Sequence, residues 1–421
     1  MALAFHPDHP SLINELHNRP SFSLEAPCSV VHLAVLPGGG PGLKHRIQAL
    51  CRAHGEAEPS DDRHHSVDLG PLSLRWERHT EFESIAVVRR NESSDATGCP
   101  LDELSDDWLD SLEGRTVSAV RITVRKAESR QSRKPWPNGT DATIGSRLLD
   151  GAGRLHTDMR ADENGFVHFD LDLEDPISND RTGRLVQRLI EVETYRMMAL
   201  LGLPTARELS PELDRLEIRL VDVVKRLGRS DDLSREQVLL DELFGIAQSS
   251  EEWLSAKTFR FSATAAYGRI VRDRLKELGE RPVIGRQPLG EFLYRRFEPA
   301  LRTCQAIRER QENLSRRISR TADLARTRVD VAVQKQNRSL LSSMDRRARM
   351  QLRLQQTVEG LSVMAISYYS IGILAYLLGG WVPAESLKLA VSVTAPVVLV
   401  TIWWLLRRWR RRLGVQESDT G

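Results

Sequence analysis

Residues 346–372 read "RRARMQLRLQQTVEGLSVMAISYYSIG". Closely spaced arginines pass into an apolar run with no Gly or Pro before Gly360, so a basic helix is expected to continue directly into a segment with the composition of a membrane span. Residues 360–379 carry no charge, and at about 1.5 Å of rise per residue they cover the roughly 30 Å hydrocarbon core. After the connector "GWVPAES" a second run, residues 387–406, carries one charge, Lys388, at its start, where the side chain can snorkel to the interface. Tyr376 and Trp381 on one side, and Trp403, Trp404 and Trp409 on the other, suit interfacial anchors. Two buried core helices are the competing reading, but such helices are amphipathic or shorter.

The flanks set the orientation. Arg346, Arg347, Arg349 and Arg353 precede the first span and Arg407, Arg408, Arg410, Arg411 and Arg412 follow the second, against Lys388 alone near the connector. Positive residues stay inside, so both termini are expected in the cytoplasm, with these arginines against anionic lipid headgroups. The N-terminus "MALAFHPDHPSLINELHNRP" lacks the basic n-region and apolar core of a secretory signal. Cys28, Cys51, Cys99 and Cys304 are scattered and form no C-x-x-C pair, which fits reduced thiols and disfavours structural zinc.

The 421 residues are 40% hydrophobic and 28% charged, a globular balance with a formal net charge of +2. "CSVVHLAVL", "LSLRWERHTEF", "SIAVVRR", "TVSAVRITVRKA" and "GFVHFDLDLE" alternate or are β-branched and read as strands. "RNESSDATGCP" and "ESRQSRKPWPNGTD" read as loops, the second as a long mobile excursion, and "PGGGPG" as a turn. From Arg184 the period becomes helical, with breaks expected before Pro204 and between "PELDRLEIRLVDVVKRLG", "SREQVLLDELFGIAQ" and "EEWLSAKTFRFSATAAYGRIVRDRLKELG". Pro282, Pro288 and Pro299 make a joint, and Pro299 suits the first turn of the next helix. Residues 300–353 hold neither Gly nor Pro. They predict a stalk of roughly 80 Å whose apolar stripe must be buried by neighbours or by copies of itself, hence a homo-oligomer. The expected fold class is an α+β cytoplasmic domain followed by a long helical stalk and a two-helix transmembrane hairpin. Its parts are a mixed domain (1–180), a helical region (181–285), the stalk with its joint (286–358), the hairpin (359–406) and a basic tail (407–421).

The sharpest polar constellation is "RWERHTEF". On a strand Glu77, His79 and Glu81 share one face, with Trp76, Arg78, Thr80 and Phe82 on the other, a set suited to weak metal ligation or acid/base work or simply to a salt-bridged sheet face. The "DDRHH" stretch, residues 61–65, is a weaker divalent-ion candidate. No phosphate loop, dinucleotide fingerprint, H-E-x-x-H or G-x-S-x-G occurs, so an enzyme is not expected. The arginine-rich stalk has few aromatics to stack bases, so no nucleic acid is expected as a partner. In the first span Ser362, Tyr369 and Tyr376 recur every seven residues with Glu359 one turn before them, giving pore-lining candidates or ordinary interfacial residues.

"GRQPLGEFLYRRFEPALRTCQAIRERQ", "RTRVDVAVQKQN" and "SMDRRARMQLRLQQTVEGLSVMAISYYSIG", together with "NELHNRP" and "RWERHTEF", make nearly the whole chain resemble the uncharacterised membrane-anchored bacterial family called domain of unknown function 3422. That resemblance implies a bacterial inner-membrane protein and supplies no catalytic residues. The layout is also similar to that of CorA-type divalent cation transporters, pentamers around their first span. Where those carry Gly-Met-Asn, this sequence reads "LLGGWVPAES". The leading expectation is an oligomer of CorA-like build that conducts a cation, with a divalent cation as the only cofactor implied. The alternative is a membrane-anchored cytoplasmic scaffold or sensor that conducts nothing.

Overall fold

In a computed structural model of the chain the described residues are 5–7, 9, 22–38, 40, 42–60, 63–90, 99–104, 108, 114–126, 144–174, 177–229, 233–378 and 384–413. The excursion "ESRQSRKPWPNGTD", most of "RNESSDATGCP", the stretch "NELHNRP" and residues 380–383 of the connector lie outside them. Two compact units result: Met1–Ser230 with Val238–Asp323, and Asp231–Gln237 with Leu324–Gly421.

The first unit is built on one nine-stranded sheet. Its strands are β1 (Cys28–Leu36), β2 (His64–Leu69), β3 (Leu72–Arg78), β4 (Glu83–Arg90), β5 (Arg115–Lys126), β6 (Ile144–Leu148), β7 (Gly153–Thr157), β8 (Val167–Leu173) and β9 (Arg281–Pro282). They stand in the order β2-β3-β4-β1-β5-β8-β7-β6-β9. Every neighbouring pair is antiparallel except β5 and β8. The helices are α1 (Gly42–His54), α2 (Asn179–Leu200), α3 (Gly202–Arg229), α4 (Leu233–Glu277), α5 (Leu289–Arg296), α6 (Glu298–Leu378) and α7 (Ala384–Leu413). The fold is therefore α+β.

β1 is buried along almost its whole length, as a mostly apolar strand in mid-sheet should be, with Ser29 and His32 as its polar members. Its odd-numbered side, with Val31 and Leu33, joins Leu74, Trp76 and Val87 under Ile47 and Leu50 of α1. Its even-numbered side, with Cys28 and Val30, joins Ile122, Val124, Phe169 and Leu171 under Leu185, Leu189 and Val192 of α2. Each such large apolar side chain contributes about 1.5–3 kcal/mol on burial. Glu83, at the start of β4, accepts the Leu43 N–H at 2.8 Å, so a buried carboxylate ties the positive end of α1 to the sheet.

The break expected before Pro204 is present, between Leu200 and Gly202, but α3 starts earlier than "PELDRLEIRL", taking Pro204 into its first turn and carrying Pro211 internally. One expected break is absent. α4 runs as one helix through both segments expected to be separate. Burial of its Leu239, Leu243, Ile246 and Phe261 outweighs the polar "QSSEE" between them. The joint is as expected: Pro288 caps α5, and Pro299 lies in the first turn of α6.

In the second unit one helix, α6, contains a stretch long and apolar enough to cross a membrane, by length and composition. The described apolar stretch within the other expected span, Ser392–Leu405, is shorter than that criterion. One candidate span, rather than two, is present among the described residues.

α2 passes so close to residue 22 that a Cβ on Gly183 would lie 1.7 Å from the Phe22 carbonyl oxygen. Leu24 N–H, next to it, donates to Asn179 O at 3.0 Å. Gly183→Ala is expected to destabilise the chain by about 1–3 kcal/mol. Gly228→Ala, at a helical position with nothing within 4 Å of the new methyl, is expected to stabilise it by about 0.4–1 kcal/mol. Urea unfolding followed by tryptophan fluorescence checks both.

Candidate functional site

The α2-facing side of the sheet turns polar beside His32. In the register of β1, β4 and β3, His32 pairs with Ala86 and Ala86 with Arg75, while Glu77 pairs with Ser84. These five residues share one face of neighbouring strands. Small residues at 84 and 86 leave room between them and α2, whose Gln187, Glu191, Thr194 and Tyr195 recur at helical spacing. With Arg274 of α4 and Phe22 they enclose a cavity of about 250 Å3.

Two ion pairs wall it. Arg75, 8% exposed, is paired with Glu77, and its guanidinium lies 4.8 Å from the Phe22 ring centroid. Arg274 pairs with Glu191, which also accepts from Gln187 Nε2 at 3.0 Å. Arg75 is buried and the other three charges are partly withdrawn from water, which favours pairing. His32 is buried, its Nδ1 at 3.5 Å from Thr194 Oγ1. Burial, and then the nearby His79, push its pKa down to about 3, so the ring is neutral at physiological pH.

The strand face expected for Glu77, His79 and Glu81 does not persist. β3 ends at Arg78 and the chain turns, His79 N–H donating to Phe82 O at 2.8 Å. His79 therefore stacks on Phe82, with ring centroids 4.2 Å apart, instead of facing away from it. Glu77 and His79 remain together, Oε2 to Nε2 at 3.6 Å, in the cavity. Glu81 turns away to α4, where it pairs with Arg260 and accepts from Tyr267 Oη at 2.9 Å. Burial first, and then that hydrogen bond, hold the Tyr267 phenol well above its ordinary pKa. Among the described residues no three His, Cys, Asp or Glu side chains converge as a metal site requires. Ser84 Oγ lies 3.4 Å from His79 Nε2, the same nitrogen that Glu77 approaches. An imidazole relays a proton between two partners through its two different nitrogens, so these three do not form a nucleophile–base–carboxylate relay.

The pore-lining candidates fall elsewhere. On α6 Ser367 is buried and Glu359, Val363, Ser370, Ile371 and Ala375 are half-buried, whereas Ser362, Tyr369 and Tyr376 are exposed. Ser362 Oγ donates to Val358 O at 2.9 Å, satisfying its hydroxyl within the helix. Ser367, 2% exposed, is the buried hydroxyl on this stretch, and its Oγ has no hydrogen-bond partner among the described residues. Only its place on the covered face distinguishes it from the other serines. Arg346, Arg347, Arg349 and Arg353 are exposed, Arg349 pairing with Asp345 at 2.6 Å. Arg408 stacks over Trp404 at 5.1 Å. Side-chain positions for Arg407, Arg410, Arg411 and Arg412 lie outside the described residues.

His32, Arg75, Glu191, Thr194 and Arg274 were not singled out by sequence. They sit in β1, β3, α2 and α4, and only the sheet register and helix packing bring them together.

The profile of the family described as protein of unknown function (DUF3422) matches residues 4–413, and the chain belongs to that family. No curated relative matches it.

The depressed His32 pKa fixes a pH dependence. The unfolded histidine binds a proton below about pH 6.5 while the folded one does not until about pH 3, so this group lowers stability as pH falls through that window and has no effect above it. Between pH 7 and pH 5 the wild type is expected to lose about 2 kcal/mol more than His32→Gln. Parallel urea melts at the two pH values measure the difference.

Proposed function

We propose that this protein is a membrane-anchored binding protein whose α+β domain receives a small zwitterionic ligand. The observation that carries the reading is the 250 Å3 cavity with a guanidinium–carboxylate pair on the sheet side and another on the helix side. A desolvated site that offers both signs favours a ligand that carries both, because each ligand charge then meets an opposite one and no net charge is buried. Binding rather than catalysis fits the His79 geometry, and a divalent cation is not needed for it.

Anchorage rests on exposure. Leu361, Met364, Tyr368, Ile373 and Leu377 are 61–76% exposed, around the part of one α6 stretch that lies outside its covered face. Apolar surface of that extent suits lipid better than water. On α7 the half-buried positions Thr394, Ala395, Val398 and Ile402 form a single helical face, as Val363, Ser367, Ser370 and Ile371 do on α6. One covered face per helix supports a two-span hairpin, with both arginine-rich flanks, and so both termini, on the cytoplasmic side of a bacterial inner membrane.

A second reading, an oligomer of CorA-like build that conducts a cation, is favoured by one observation: Ser362, Tyr369 and Tyr376 stand outside the covered face, where another copy can meet them. Reconstituted protein would then pass a cation and lose flux on Tyr369→Trp, and a monomeric mass in detergent would remove this reading.

For the binding protein, alkaline carbonate extraction is expected to leave the full chain in the membrane pellet. Ile366→Asp with Ile373→Asp, each costing about 2.5–3.5 kcal/mol at a span centre, is expected to release it; a wild-type chain found in the supernatant refutes anchorage. In thermal melts of the detergent-solubilised chain, taurine or glycine betaine is expected to raise Tm where acetate does not. Ala86→Leu, which fills the cavity floor, is expected to abolish that rise. Equal responses to all three solutes refute the ligand class.

A further inference from the structure

A second cavity, of about 280 Å3, lies between α4 and the first turns of α6, both within the first unit. The helices approach closely there: a Cβ on Gly268 would stand 2.6 Å from Leu301 Cδ1. Thr264 and Cys304 are buried at its base.

Four guanidinium groups rim this space, Arg269 and Arg272 from α4 and Arg302 and Arg308 from α6, against one carboxylate, Glu298. Glu298 is taken by Arg272 at 3.0 Å. Arg308 Nε reaches Glu312 only at 3.6 Å and is buried without a hydrogen bond among the described residues. No carboxylate among the described residues pairs with Arg269 or Arg302. Arg310, just beyond the cavity, shows the ordinary solution: Asp214 at 2.7 Å and Glu217 at 2.9 Å neutralise it.

Like charges gathered around a concave, partly desolvated space raise its potential and concentrate anions there. The guanidinium fork matches phosphate oxygens two at a time. The volume is just below the roughly 300 Å3 at which drug-sized sites begin, which suits a phosphate or diphosphate group rather than a whole nucleotide. We infer that this cavity binds a phosphate-bearing anion through Arg269, Arg302 and Arg308, independently of the zwitterion cavity. Two sources present that chemistry, a soluble phosphate compound and a lipid headgroup.

Calorimetric titration of the full chain in detergent at 0.15 M salt, with pyrophosphate and separately with dihexanoyl phosphatidic acid, tests the site. The double variant Arg269→Gln, Arg302→Gln alters two exposed side chains, and a thermal melt verifies that it folds. It is expected to weaken binding about tenfold or more, while Arg317→Gln, exposed on the same helix, is expected to leave it unchanged. Pyrophosphate binding with this dependence supports the site with a soluble ligand. Binding of the short-chain lipid alone, with the same dependence, supports it with a lipid headgroup. Binding of neither probe, binding untouched by the double variant, or equal weakening by Arg317→Gln overturns the proposal.

Discussion

β1 lies in the middle of the sheet with both faces covered, and any polar side chain on it is removed from water. Valine, leucine and alanine meet that constraint simply, while His32 meets it by staying neutral and approaching Thr194. The cavity under α2 follows from this one position. Beside His32 the sheet presents Ala86 and Ser84 where the adjoining rows present Val30, Val88 and Ile122, so the apolar core under α2 stops short and a space opens. Charges bordering that space are partly withdrawn from water in turn, so Arg75 with Glu77 and Arg274 with Glu191 appear as pairs.

The same hydrophobic effect acts in opposite senses along the chain. In the sheet domain Trp76, Ile85, Phe169 and Leu189 are out of solvent almost completely. On α6 beyond Asp323 the large apolar side chains stay exposed, from Leu324 and Val331 through Leu340 and Met344 to Leu361 and Ile373. Up to about residue 354 they alternate with arginines, a surface that water tolerates and a neighbouring helix can bury. From residue 360 the charges stop, and the exposed surface changes from amphipathic to uncharged and mostly apolar. The segment 346–372 is where that change occurs within unbroken helix.

Elements that carry their own periodicity were legible in the sequence. β1, β4, β5 and β8 appear within a residue or two of their expected bounds, and the long helix after Pro299 is present. β2, β6 and β7, read from "HHSVDL", "IGSRL" and "GRLHT", have no local signal strong enough to mark them; neighbouring strands hold them in the sheet. The failure at "RWERHTEF" is more instructive. Alternation predicts faces only while the strand lasts, and the turn after Arg78 reassigns His79, Glu81 and Phe82. Two of the three predicted residues, Glu77 and His79, therefore survive in the cavity, and the groups that complete it come from helices more than a hundred residues away, beyond the reach of any local pattern.

Net charge conceals the remaining constraint. With 60 Lys and Arg against 58 Asp and Glu the chain is nearly neutral, yet pairing is uneven. On the sheet, Asp170 and Asp172 of β8 are matched by Arg125 of β5 and Arg154 of β7, a ladder in which each strand supplies what its neighbour lacks. Along the start of α6, Arg310 is matched twice while Arg302 is not matched among the described residues. Surface pairs contribute little each, so their omission costs little stability. What an unmatched arginine changes is the local potential, and where several border one concavity the sum is an attraction for anions that folding alone does not require.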